Sequence, residues 1–327
     1  MKIFVCTILF LLLSACNVQR ENTFIRNSTE KVTIHPGQVL HIKTDFHKDV
    51  VFQGQYNFDD IDLKTDPVLY PGDSAAVFFA AIIAHAYTAD AIKSGAMSQV
   101  QENANRVLMP YQRYLQKFEN DELVSCVINN VNNQYDFQIS KFQNKKVSPG
   151  KSSPGKSPLG KSPSGWLLKS EPVFYMTQDQ RELILKHVMY VYRMSAPEVV
   201  VHKNIIEVSS ARTDESRPLD FWVYKNKLPA ISSELYAKSI KLFIDDMISP
   251  DGAHSNNPQK TFRYTQGGVK MFERGTLIEN ECGQTTMRTL RGWIKSFPSK
   301  NLESTVLAGE CAKQSYVDHQ VLVDISK

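Results

Sequence analysis

Thr261-Phe262-Arg263-Tyr264-Thr265-Gln266-Gly267-Gly268-Val269-Lys270-Met271-Phe272 sets two runs of alternating large and polar residues about a Gly-Gly pair. A two-residue turn between right-twisted strands needs positive φ, which glycine adopts freely, so the stretch predicts an antiparallel hairpin. Just upstream, from about Ser233 to Ile248, Leu235, Ile240, Phe243, Ile244 and Met247 recur at helical spacing, and Ser249-Pro250-Asp251-Gly252 ends the pattern. Such elements recur along the chain without a regular βαβ alternation. The expected class is α+β, with short antiparallel strands and hairpins packed against a helical hairpin and further amphipathic helices.

Outward from this core, Thr177-Gln178-Asp179-Gln180 reads as a capping box before a helix over Arg181–Arg193. Strands are expected at Glu198–His202, Ile205–Ser209, Asp220–Lys225, Gln284–Leu290 and Gln320–Ile325. In the N-terminal half, Lys31–His35, Val39–Lys43 and Val50–Gln55 predict a small β-meander, and Ala75 to about Ser94 a buried Ala-rich helix. Met97, Val100, Ala104, Val107, Tyr111, Leu115 and Phe118 then form one apolar stripe, expected to pack against that helix and to break at Pro110. A short helix over Asp121–Val131 and a strand carrying Tyr135, Phe137 and Ile139 follow.

Ser148 to Gly165 repeats Ser, Pro, Gly and Lys with almost nothing to bury, and is expected to be disordered. Strand-like sequence on both sides, Trp166-Leu167-Leu168 and Val173-Phe174-Tyr175 after it, suggests an expanded hairpin loop inside one domain spanning 24–327. The rival reading is a linker dividing 24–147 from 166–327.

The N-terminus gives an address. Lys2, the uncharged apolar run Ile3–Leu13 and then Leu13-Ser14-Ala15-Cys16 have the order of a secretory signal. With Cys directly after the small residues, the stretch resembles the lipobox of bacterial lipoproteins. That resemblance implies a signal peptide over 1–15, a lipid-bearing Cys16 and a polar tether over 16–23. It further implies outer-membrane placement, because Asn17 stands where an inner-membrane protein often has Asp. The resemblance covers the N-terminus alone.

Composition is that of a folded chain: 42% hydrophobic, 22% charged and a formal charge of +4, too small to imply a nucleic-acid partner. Beyond Cys16, three cysteines remain in an oxidising compartment. Cys282 and Cys311, both in polar surroundings, are the expected disulfide, leaving Cys126 as a buried thiol.

Motifs for chemistry are sparse. Gly150-Lys151-Ser152-Ser153-Pro154-Gly155-Lys156-Ser157 satisfies the phosphate-loop pattern, yet Pro158 follows it and no strand or helix flanks it, so no nucleotide is expected. His35, His41 and His47 share strand parity but lack zinc-ligand spacing, and Asp59, Asp60, Asp62 and Asp66 lack a calcium-loop pattern. No metal or cofactor is expected. His85 falls on a helical apolar stripe, and Asp251–Asn257 brings Asp, His and Ser into one polar turn.

The remaining signal is charge. Lys260 to Lys300 holds eight basic residues against three acidic, a net of +5, among Phe262, Tyr264, Phe272 and Trp293. Arg263, Lys270, Arg274, Arg288 and Arg291 are the candidate binding residues, toward anionic lipid or glycolipid or an acidic envelope protein. The expectation is a lipid-anchored envelope protein that binds without catalysis. The alternative is an envelope hydrolase built around His85, His254 or His319.

Overall fold

The computed structural model describes residues 27–28, 32–44, 50–55, 95–116, 118–142, 165–249, 257–281 and 283–303. All belong to one compact unit comprising 26–62 and 95–327. The helix expected over Ala75–Ser94, the 148–165 segment and the Gln320–Ile325 strand lie outside the described residues, as do Cys16, Cys282, Cys311, His47, His85, His254 and His319.

The strands are β1 (Asn27–Ser28), β2 (Val39–Thr44), β3 (Val51–Gly54), β4 (Gln138–Lys141), β5 (Trp166–Met176), β6 (Leu183–Arg193), β7 (Ala196–Ser209), β8 (Gln259–Gln266), β9 (Val269–Glu281), β10 (Gln284–Thr289) and β11 (Ile294–Pro298). They form one mixed sheet in the order β4-β2-β5-β6-β7-β11-β10-β9-β8, with β1 beside β7 and β3 beside β5. The helices are α1 (Gly95–Asn105), α2 (Gln112–Leu115), α3 (Asn120–Val131) and α4 (Lys227–Ile248). The class is α+β, rich in strand.

Two corrections concern pairing. Strands β2 and β3 both run parallel to β5 and do not pair with each other, and 32–35 is not a strand, so the meander is absent. Strands β4 and β5 flank β2 on opposite sides and both run parallel to it, so the segment between them is a crossover and not a hairpin loop.

Two corrections concern elements. Leu183–Arg193 is a strand, paired on both sides by β5 and β7. Its near-continuous apolar run is the mark of a strand buried on both faces. The preceding Thr177–Gln180 turns that hairpin: Asp179 Oδ1 accepts from Thr177 Oγ1 at 2.7 Å and from the Arg181 N–H at 3.1 Å. The expected strand Asp220–Lys225 is instead a single wide helical turn over Asp220–Tyr224, closed by Lys225 N–H donating to the Asp220 carbonyl at 2.9 Å. Trp222 drives this: fully buried, it donates Nε1–H to the Gln180 carbonyl at 2.6 Å.

The apolar stripe ending at Phe118 is broken where Pro110 sits, into α1, a 3₁₀ stretch over Arg106–Tyr111 and α2, with Val107, Leu108 and Tyr111 buried. Gly54 lets α1 lie against β3, since a Cβ there would meet the Ala104 carbonyl oxygen at 1.9 Å. Helices α3 and α4 contribute Leu123, Val127, Leu235, Ile240, Phe243 and Met247 to a core that includes Leu168, Leu185 and Ile206 on one sheet face.

The other face is concave. β8 is the last strand by pairing, four places from β7, yet Gln266 Nε2 on β8 donates to Glu207 Oε1 at 2.9 Å and Ser209 Oγ at 2.8 Å on β7. The sheet must curl to bring them together. Gly267 and Gly268 have φ of 59° and 82°, as the predicted hairpin turn requires, and the Gly267 N–H donates to Glu182 Oε2 at 2.8 Å.

Candidate functional site

The curl encloses an ionic cluster. Lys295 Nζ lies 2.9 Å from Glu273 Oε2 and 3.7 Å from Glu207 Oε1, and Lys186 Nζ lies 3.5 Å from Glu207 Oε2. The Glu207 carboxyl resists burial because Lys295, Lys186 and the Gln266 amide pull its pKa down to about 2. Burial likewise opposes the Lys295 ammonium, but Glu207, Tyr264 and Glu273 hold its pKa well above the usual lysine value. Lys186 is lowered to about 8, by burial first and Lys295 repulsion second, against attraction from Glu207. Nearby Glu182 is raised to about 7, chiefly by burial. Lys295 and Glu207 bind each other's strands together, which is a structural task.

Beneath α4 on the opposite face lie two more polar networks. Tyr236 OH lies 2.8 Å from Ser170 Oγ, Ser170 Oγ 2.6 Å from His187 Nε2, and His187 Nδ1 2.7 Å from Ser239 Oγ. Ser239 Oγ–H donates to the Tyr236 carbonyl at 2.7 Å, so the donors run from Tyr236 through Ser170, with His187 protonated on Nδ1. Ser170 and His187 match a nucleophile and base in distance alone. Both are fully buried, and burial lowers the His187 pKa to about 3, so a neutral imidazole ties α4 to the sheet. In the second network Asp246 Oδ2 meets His202 Nε2 at 3.1 Å and accepts from Asn204 Nδ2 at 2.7 Å. Arg288 Nη1 reaches Asp246 Oδ1 at 2.7 Å.

The predicted cations divide. In the β8–β9 ladder, Arg263 faces Phe272, Thr261 faces Arg274 and Thr265 faces Lys270. Facing residues of an antiparallel pair share a sheet face, so Arg263, Lys270 and Arg274 stand together. All three are exposed, while Phe262, Tyr264 and Gln266 alternate to the buried side. The one carboxylate in this part of the ladder, Glu273, faces Phe262 on the buried side. Arg288 instead turns under α4, and Arg291 sits in the β10–β11 turn 6.0 Å from the Trp293 ring.

Arg212, Phe221, Ile231, Leu235, Lys238 and Gln284 are among the residues lining a cleft of about 770 Å³ beside the N-terminal half of α4. Among the described residues no cluster of His, Cys, Asp and Glu is arranged to hold a metal, and no helix is long and apolar enough to cross a membrane. Sequence reasoning missed His187 and His202; the available signal was a histidine set in an otherwise continuous apolar run. No known protein family matches the chain, and neither a curated protein nor a solved structure does.

Proposed function

We propose that the protein is a lipid-anchored component of the bacterial cell envelope, attached through Cys16, that binds an anionic partner without catalysis. One observation carries the binding part: Arg263, Lys270 and Arg274 share an exposed sheet face, with Glu273 of the same ladder turned to the buried side and Glu303 paired with Lys270 alone among the three. Like charges gathered on one face raise the local potential that attracts an anion. The lipobox-like Leu13-Ser14-Ala15-Cys16 supports the anchor, and Asn17 supports the outer membrane. Of the described residues, Ser170 and His187, which match a nucleophile and base in distance, are buried and tie α4 to the sheet.

The test uses a soluble form beginning at Asn17 and washed envelope membranes. Sedimentation with the membranes is expected at low ionic strength, falling with added salt. Arg263→Glu combined with Arg274→Glu abolishes it while the far-ultraviolet spectrum is unchanged. No sedimentation of the unsubstituted form at low ionic strength removes the binding part of the proposal.

A further inference from the structure

We infer that the anionic partner is the bilayer surface itself, with Phe272 and Leu290 entering the headgroup region between cations that reach lipid phosphates. This rests on the binding face just described and adds what it binds. Phe272 is 64% exposed and Leu290 57% exposed, two of the few large apolar side chains that stand out into solvent. Both belong to the cationic face. Phe272 faces Arg263, whose guanidinium lies 5.8 Å from its ring. The Leu290 N–H donates to the Arg274 carbonyl at 3.2 Å, and the register Thr289↔Gly275 continues to place Leu290 opposite Arg274. With facing Cβ atoms about 5 Å apart and alternate residues of a strand about 7 Å apart, three cations and two apolar groups occupy one compact patch.

This chemistry matches a membrane interface. Apolar side chains there sink to the boundary of headgroups and acyl chains while Arg and Lys reach phosphate with their charged ends. Lys270 is held at 3.0 Å by Glu303, an exposed pair that an anionic surface displaces at little cost. The anchor adds a second argument. Ten residues lie between Cys16 and Asn27, the start of β1, so the body is tethered within about 40 Å of the membrane. A lipid chain combined with a basic patch is a recognised two-signal attachment.

The test uses the form beginning at Asn17 and protein-free vesicles of phosphatidylglycerol with phosphatidylcholine, against phosphatidylcholine alone. Binding is expected only to the anionic vesicles. Arg263→Gln with Arg274→Gln weakens it by roughly thirtyfold at low salt. In Phe272→Trp the new indole, read as a difference from the unsubstituted protein, shifts its emission to the blue and is quenched by brominated acyl chains. Unchanged melting of both variants shows that they fold. Sedimentation with envelope membranes but not with protein-free anionic vesicles overturns this inference in favour of an acidic protein, and leaves the preceding proposal standing. Vesicle binding with an unshifted, unquenched indole also overturns it, because the patch is then not the part that enters.

Discussion

Glu207 is the residue on which the concave face depends. It stands between Lys186 and Lys295, which are almost wholly buried, and it accepts a hydrogen bond from Gln266. Glu207→Gln keeps an acceptor for Gln266 but leaves both ammonium groups short of charge. Breaking a buried pair on one side costs about 3–5 kcal/mol, so chemical denaturation should show a loss of that order; a loss under about 1 kcal/mol would mean that the cluster carries no net charge coupling. Glu182 behaves oppositely. Its folded pKa is about 7 against 4.5 unfolded, so between these values the unfolded chain has released a proton that the folded chain keeps. Stability from this group is therefore full below pH 4.5 and is lost as pH rises to 7. Glu182→Gln retains an acceptor for the Gly267 N–H, so it should match the unsubstituted protein at pH 4 and exceed it by about 2–3 kcal/mol at pH 8. Equal stabilities at both pH values would sink the assignment. His187 has the reverse slope, since burial lowers its folded pKa to about 3 from the ordinary 6.5, so its contribution is lost as pH falls through that window.

At the scale of elements, what the sequence revealed follows the range of the forces involved. The hairpin about Gly267-Gly268 was legible because turn chemistry is local, and with it the shared face of Arg263, Lys270 and Arg274. Helix α4 and the break at Pro110 were legible for the same reason. Leu183–Arg193 was not, because only burial by β5, β7 and the layers on both faces makes a strand of it, and those neighbours come from distant sequence. His187 was hidden by the same misreading. Its Ser170, Tyr236 and Ser239 partners become visible only once strand parity is known. Strand β11 was also missed. It is short and fully buried, and it joins β7 by the parallel register Ile294↔Ile206, which no local pattern announces. The parallel arrangement of β4, β2 and β5 has a consequence for the Ser-Pro-Gly-Lys segment. Twenty-four residues, 142–165, connect Lys141 to Trp166 across β2. Parallel crossovers need about a dozen residues or more. Removing Ser148–Gly165 leaves six, too few to cross, and should lower the melting temperature sharply; removing Gly150–Leu159 leaves fourteen and should not. If the full deletion melts like the parent, β4 and β5 are not joined over β2.

For the whole molecule, the tightly closed interior and the open cationic hairpin imply a division of labour. Helix α4 and the curled sheet engage Asp246, Arg288, Glu273 and Lys295 in holding the body together, and the charge left on the β8–β9 face is available to a surface. A lipid on Cys16 would make that surface the nearest one to the patch at all times, so that even weak headgroup contacts are repeated at high effective concentration. The two attachments should then be separable in cells. Cys16→Ala is expected to abolish metabolic labelling by palmitate and to move the protein from the membrane fraction to the salt-soluble fraction. In that background Arg263→Gln with Arg274→Gln should release it further at low salt. On an intact Cys16 the same two substitutions should leave fractionation unchanged, because two or three acyl chains hold a protein far more firmly than three exposed cations. Palmitate labelling that survives Cys16→Ala would place the anchor elsewhere. Release by the arginine substitutions with Cys16 intact would mean that the hairpin, and not the lipid, is the principal hold.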